Sequence, residues 1–233
     1  MTRAAMILAA GRGERMRPLS DRCPKPLLAV GGKPLVAWQI EALARAGYRD
    51  LVLNVSHLAD QFAAVLGDGT ALGVRVRYSR EPEPLETAGG IVTALPLLPQ
   101  GPLLVVSGDI WTRFDYASLD ARRDAMAAGT AAPAHLVMVP NPPYHPDGDF
   151  ALHAGQLARE GPRLTFGNIG LYHTRLFDEL PRGRKIKMLP LYERWIAAGI
   201  ASGERYDGPW HNVGTPADLA ALDAAVTQRR NTV

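Results

Sequence analysis

A short apolar run at the start of the chain, Ala5-Met6-Ile7-Leu8-Ala9, leads straight into Ala10-Gly11-Arg12-Gly13-Glu14-Arg15-Met16. A continuous apolar run of this length, closed by glycines, reads as a strand buried in a sheet. The same rhythm then repeats. Residues 34–46 have helical periodicity, with a proline early and Gly47 just past the end. Residues 51–55, 74–78, 102–107 and 135–139 read as further strands, and residues 58–66 and 116–128 as helices. Alternating strands and helices predict an α/β fold: a Rossmann-like mixed, mostly parallel sheet flanked by helices.

Beyond residue 140 the regularity fades. Residues 141–149 hold three prolines and two acids and read as a loop. Helices are expected at 175–180 and 188–198, and Thr215-Pro216-Ala217-Asp218 resembles a capping box opening a last helix to about Val226. A polar tail, 228–233, follows, so residues 1–227 are expected to form one domain. The net charge of +3 is too mild to suggest nucleic-acid binding and suits small polyanions. The single cysteine, Cys23, excludes an intrachain disulfide, and no apolar run is long enough to span a bilayer. A cytoplasmic protein with no membrane partner is expected, and a monomer fits these features.

The glycine-rich loop reads two ways. Small residues after a strand let backbone N–H groups donate to phosphate oxygens, with Arg15 adding a permanent cation. A tight turn reads equally well. The dinucleotide fingerprint fails because Met16 stands where its last glycine belongs, and no G-K-[ST] triplet follows for a Walker loop. The next cationic element favours the phosphate reading. In Pro24-Lys25-Pro26-Leu27 the prolines restrict the backbone around one of only four lysines in the chain. Downstream, the apolar strand at 102–107 ends in Gly108-Asp109. A carboxylate at the carboxyl end of a parallel strand can hold magnesium against a phosphate, although an aspartate after glycine is also an ordinary turn residue.

Taken together, Leu8-Ala-Ala-Gly11-x-Gly13-x-Arg15-Met16-x-Pro18 and Pro24-Lys25-Pro26-Leu27 resemble the signature of the sugar-1-phosphate nucleotidyltransferases. That resemblance implies a GT-A-like fold, with 1–140 as nucleotide-binding half and 141–227 as sugar-binding half. It places Leu8, Ala10, Gly11, Gly13, Glu14, Arg15, Met16 and Lys25 on the nucleotide, and makes Arg15, Lys25 and Asp109 the catalytic set. It also implies Mg2+ on Asp109 and on a second acid in a Trp-x-Asp-x-Gly-Thr pattern. Here that stretch is Trp210-His211-Asn212-Val213-Gly214-Thr215, so Asn212 replaces the expected aspartate. A working neutral ligand, an engineered Asp→Asn change and a natural loss of catalysis each account for it. His211 is expected to point away from the site if 210–213 is extended.

The stretch Glu86-Thr87-Ala88-Gly89-Gly90 resembles the family's nucleobase-reading segment, with small residues whose amides would read a base edge; a glycine-rich helix start is the plainer reading. Its wording is similar to that of bacterial N-acetylmuramate-1-phosphate uridylyltransferases, as are Gly148-Asp149-Phe150, Thr165-Phe166 and Lys187-x-x-Pro190-Leu191. The resemblance implies Asp149, Asn168 and Lys187 on the sugar-phosphate side. It also implies UTP and a sugar 1-phosphate as substrates, UDP-N-acetylmuramate and pyrophosphate as products, and a place in peptidoglycan recycling. GTP with a mannose or heptose 1-phosphate, or a nucleotide-sugar binder weakened by Asn212, are the alternatives.

Overall fold

The computed structural model describes residues 3–231. In chain order its strands are β1 (Ala4–Leu8), β2 (Ala29–Val30), β3 (Lys33–Pro34), β4 (Asp50–Val55), β5 (Arg75–Arg80), β6 (Pro102–Ser107) and β7 (Ile110–Thr112). They continue as β8 (Ala134–Val139), β9 (Phe150–His153), β10 (Gln156–Ala158), β11 (Arg163–His173), β12 (Ala201–Arg205) and β13 (Trp210–Asn212). The helices are α1 (Leu35–Arg45), α2 (Ala59–Leu66), α3 (Glu86–Ala94), α4 (Asp120–Ala127), α5 (Leu189–Ala197) and α6 (Pro216–Asn231).

Nine strands form one sheet, in the order β5-β4-β1-β6-β11-β8-β12-β10-β9. The first four are mutually parallel, and β11 and β10 run against the other strands. β1 is an interior strand of the sheet, and both its faces are covered. Ala5 and Ile7 join Ile40, Leu51, Leu53, Phe62 and Val106 in one core, while Met6 joins Val52, Ile91, Val105 and Trp195 in the other. The period-2 alternation of a strand does this sorting. Each such aliphatic side chain, fully withdrawn from water, contributes about 1.5–3 kcal/mol. A third cluster packs Met16, Val30, Leu35, Trp111, Val213, Leu222 and Val226 beneath the glycine-rich loop, and so ties the two ends of the chain together.

Several elements depart from expectation. Residues 175–180 form only a 3₁₀ turn, Thr174–Phe177, capped by the His173 side chain. Pro181 then bars a helix from continuing, because it pushes the residue before it out of the helical region. The stretch expected as one helix at 116–128 opens as a 3₁₀ turn, Tyr116–Leu119, before α4. The last helix runs past Val226 to Asn231, since Gln and Arg extend a helix readily. Of the expected tail, residues 232 and 233 lie outside the described residues. Among the described residues no helix is long and apolar enough to cross a membrane.

Candidate active site

The parallel strands all end on one side of the sheet, and the sequence motifs gather there. After β1 the chain turns through Gly13, which adopts a left-handed backbone (φ 66°). A Cβ added at Gly13 would lie 3.2 Å from Lys25 Cβ, so the glycine lets the loop lie against the lysine. A Cβ at Gly11 would meet nothing within 4 Å, leaving that stretch of backbone open to a ligand. Leu8 is half-buried, while Gly11, Glu14 and Arg15 are exposed. Met16 is different: it is fully buried in the third cluster and its N–H donates to Gly13 O at 2.8 Å, so neither group faces a nucleotide. Ala10 likewise presents almost no side-chain surface, at 6% exposure.

Lys25 sits in a 3₁₀ turn, Lys25–Leu27, between its two prolines. Its ammonium donates to Asp109 Oδ2 at 2.7 Å. Gly108 makes this meeting possible. Its N–H donates to Leu8 O at 2.9 Å, and a side chain there would crowd Leu8 O and Pro26 Cβ at 3.1 and 3.4 Å. Beyond Asp109 the chain enters β7, which pairs with β13 so that Asn212 lies opposite Ile110 and Val213 N donates to Asp109 O at 3.0 Å. Asp109 and Asn212 thereby occupy diagonal positions at the end of the strand pair. His211 lies opposite Trp111, with the two rings 5.7 Å apart, and so faces away as expected.

Arg15 reaches the same place. A Cβ at Gly214 would lie 3.3 Å from Asp218 Oδ2 and 3.6 Å from the Arg15 guanidinium. Asp218 holds the backbone here by accepting from Gly214 N and Thr215 N, at 3.1 and 2.8 Å, while Thr215 Oγ1 accepts from Asp218 N. This is a reciprocal cap on α6. Sequence reading missed Tyr144. It projects from the 141–149 loop with 56% of its surface exposed, hydrogen-bonds the Asn212 side chain, and lies within electrostatic reach of Asp218, Arg15 and Asp109; partial desolvation raises its phenol above the ordinary value. The loop is pinned at its ends. Asn141 Nδ2 donates to the Pro146 and Arg163 carbonyls, and Asp149 accepts from Phe166 N at 2.7 Å and pairs with His145 at 3.1 Å.

The donor set suits magnesium held chiefly by substrate. Asp109 keeps 31% of its side chain exposed, Asn212 adds one amide oxygen, and no group of three or more His, Cys, Asp or Glu among the described residues forms a closed metal cage. Magnesium commonly takes one or two protein oxygens and completes its shell with phosphate and water.

Thr87 and Asn168 face a cavity of about 140 Å³ together with Leu8, Ser107, Phe166 and Tyr172. Asn168 gets there through a bulge. Between Phe166 and Gly170 the register of β11 against β8 shifts, and Asn168 takes a left-handed backbone (φ 58°). The floor is a buried pair, with Tyr172 and Tyr192 hydroxyls 2.6 Å apart. Met188 also lines this cavity, and Lys187 precedes it in an exposed position. Asp149 instead lines a separate depression with Arg159, Arg163 and Glu193, its two oxygens engaged by Phe166 and His145, so it acts on the loop. The amides of Ala88 and Gly89 are not free to read a base, because both donate to Ile186 O at 3.1 and 3.2 Å. Gly89 is required by packing: a Cβ there would lie 2.1 Å from Arg184 O. Glu86 remains exposed, in a left-handed backbone with φ 64°.

The chain matches the family described as Nucleotidyl transferase over residues 4–144. It is 45% identical to the N-acetylmuramate alpha-1-phosphate uridylyltransferase of Neisseria meningitidis serogroup B, covering 94% of this chain and 96% of that one. The protein of the same description from Caulobacter vibrioides is 33% identical, covering 96% and 97%. Among solved structures, HddC from Yersinia pseudotuberculosis complexed with GMP-PN superposes with a TM-score of 0.78 at 18% identity, over 96% of this chain and 99% of that one. This likeness extends the GT-A-like nucleotidyltransferase fold to the present chain.

Proposed function

This chain belongs to the nucleotidyl transferase family, and we propose that it joins UTP to N-acetylmuramate 1-phosphate, forming UDP-N-acetylmuramate and pyrophosphate. The observation that carries the chemistry is the meeting of Lys25 and Asp109 at 2.7 Å beside Asn212, with Arg15 alongside. The choice of UTP and of the sugar rests on the two uridylyltransferase relatives. We place the reaction in peptidoglycan recycling, in the cytoplasm, and assign it Mg2+ as cofactor.

In this reaction a sugar-1-phosphate oxygen attacks the α-phosphorus of UTP, and the bond from that phosphorus to the bridging oxygen of the β-phosphate breaks. The attacker is already anionic, so the protein needs no nucleophile and no strong base. Catalysis then rests on positioning and charge. The exposed backbone at Gly11 receives the triphosphate, and Arg15 steadies the departing pyrophosphate. Lys25, aimed by its prolines, neutralises charge at the reacting centre. Asp109 and Asn212 would hold magnesium, which would supply further charge neutralisation for the reacting phosphates. Thr87 and Asn168 line the cavity where base and sugar side approach, and Lys187 stands at its edge.

Pyrophosphate release tests this directly, using UTP, GTP, CTP and dTTP against N-acetylmuramate, glucose and mannose 1-phosphates with magnesium. UTP with N-acetylmuramate 1-phosphate is expected to give the highest kcat/KM. A higher value for GTP with mannose 1-phosphate overturns the substrate assignment. Release from no pair overturns catalysis and leaves a nucleotide-sugar binder.

A further inference from the structure

A carboxylate that the mechanism does not use lies buried between the two walls of the nucleotide cavity. Glu81, just past β5, is 4% exposed, and Asn54, near the end of β4, is 3% exposed. Asn54 Oδ1 accepts from Ala9 N at 2.9 Å, at the entry to the glycine-rich loop. Asn54 Nδ2 donates to Glu81 Oε1 at 2.7 Å. Glu81 Oε2 accepts from Leu85 N at 2.9 Å. This unbroken chain of three hydrogen bonds runs from the residue after Leu8 to the residue two before Thr87, and Leu8 and Thr87 line the same cavity.

Among the described residues no charged side chain repays the burial of this carboxylate, and the groups that hydrogen-bond it are Asn54 and the Leu85 N–H. A buried acid without a cation is costly, and in an ordinary packed site an apolar residue would serve better. The site is also shaped around the pair. A Cβ at Gly90 would lie 2.7 Å from Asn54 Nδ2 and 2.8 Å from Glu81 Oε1, so no side chain fits there without displacing the network. Leu85 is held on its other side too, since its carbonyl accepts from Ile186 N at 3.0 Å. Directly after it comes Glu86, a non-glycine residue in the left-handed region (φ 64°). Such a backbone persists only where its surroundings over-determine it.

We propose that Glu81 and Asn54 are positioning residues that fix the spacing between the phosphate loop and the segment 85–87, and that this spacing sets affinity for the nucleoside triphosphate. The proposal rests on the nucleotidyltransferase reading of the site. Neither residue touches substrate; both act through Ala9 and Leu85.

Hydrogen-bond polarity supplies the test. In Glu81→Gln the new amide N–H must face either Leu85 N–H or Asn54 Nδ2, and turning Asn54 over to meet it would strand Ala9 N–H. One of the three bonds is lost whichever way the amides turn. Combining Asn54→Asp with Glu81→Gln restores all three. The carboxylate introduced at position 54 accepts from Ala9 N–H and from the amide introduced at position 81. The carbonyl oxygen of that amide accepts from Leu85 N–H.

The measurement is UTP affinity by calorimetry on the parent, E81Q, N54D and N54D/E81Q, with thermal melting beside it and steady-state KM for both substrates. E81Q is expected to weaken UTP binding about tenfold, the scale of one unpaired buried polar group. KM for the sugar 1-phosphate should stay within about twofold of the parent's, and the double exchange should bring UTP affinity back to within about threefold of it. UTP affinity unchanged in E81Q while the melting temperature falls assigns the pair a structural role and overturns the proposal. So does a double exchange that melts like the parent yet binds UTP no better than E81Q. Turnover in the parent is read separately, so a parent that binds UTP but releases no pyrophosphate overturns the catalytic reading while the affinities still judge the role of Glu81 and Asn54.

Discussion

Lys25 Nζ donates to Asp109 Oδ2 at 2.7 Å, joining residues 84 positions apart in the chain. Lys25 is buried, with 10% of its side chain exposed, so its charge is fixed in direction before any substrate arrives. An electrostatic donor that needs no reorganisation during the reaction is the kind that stabilises a transition state most. Lys25→Ala should therefore lower kcat by about a hundredfold or more. Steady-state pyrophosphate release measures this, and a loss under about threefold removes Lys25 from the mechanism.

Asn212 occupies the place beside Asp109 where the family signature implies a second acid. An amide oxygen binds a hard cation but brings no charge. Asn212→Asp should raise turnover and lower the magnesium concentration needed for half-maximal rate, and EDTA should abolish activity in both forms. Equal rates across a magnesium titration would show that the missing charge is supplied elsewhere, with Asp218 the residue to examine first.

Two glycines in the nucleotide region should respond in opposite ways. Gly11 has open space where a Cβ would go and no positive φ, so Gly11→Ala should leave the melting temperature nearly unchanged while raising KM for UTP. Gly89→Ala drives a methyl to within 2.1 Å of Arg184 O, a backbone atom that cannot rotate away. That change should cost about 1–3 kcal/mol of stability. Thermal melting and UTP kinetics on the two variants separate ligand space from packing space, and a stable Gly89→Ala protein would contradict the packing argument.

Much of the site is legible because its residues sit in short local motifs at the ends of parallel strands. Gly11 to Arg15, Lys25 between prolines, Gly108-Asp109 and the Trp210–Asn212 strand each announce themselves within a few positions; the parallel pairing of β1 and β6 and the antiparallel pairing of β7 and β13 bring them together. Asn168 is singled out only through resemblance, since a bulge in the 11-residue strand β11 turns it toward the cavity that Thr87 also lines, and glycines at 167 and 170 hide that strand. Tyr144 is invisible because its loop has no periodicity, and its position depends on hydrogen bonds from Asn141 and Asp149. Met16 fails as a nucleotide contact for the converse reason. It belongs to a signature by position, but its side chain fills a core shared with Val30, Leu222 and Val226, drawn from both ends of the chain. Glu81 lies beside the exposed Glu83 in a proline-rich stretch and carries no mark of burial in the sequence.

The burial of Glu81 also has a consequence for stability. Desolvation raises its carboxyl above the ordinary value of 4.5, and the hydrogen bonds from Asn54 and Leu85 oppose that rise only in part. The folded protein therefore holds this proton more tightly than the unfolded chain does. Above the ordinary value the unfolded state releases the proton first, so stability tied to this group is fully present below about pH 4.5 and falls as pH rises through the folded value. Glu81→Gln cannot titrate and escapes that loss, although it gives up one hydrogen bond at every pH. Other carboxylates titrate equally in both proteins and cancel in the difference. The melting temperature of the parent minus that of E81Q should be larger below about pH 4.5 than above it. A flat difference would mean that the Glu81 carboxyl titrates alike in the folded and unfolded chain, and one that widens with rising pH would mean that its folded value is lowered, with Asn54 and the Leu85 N–H more than compensating its charge.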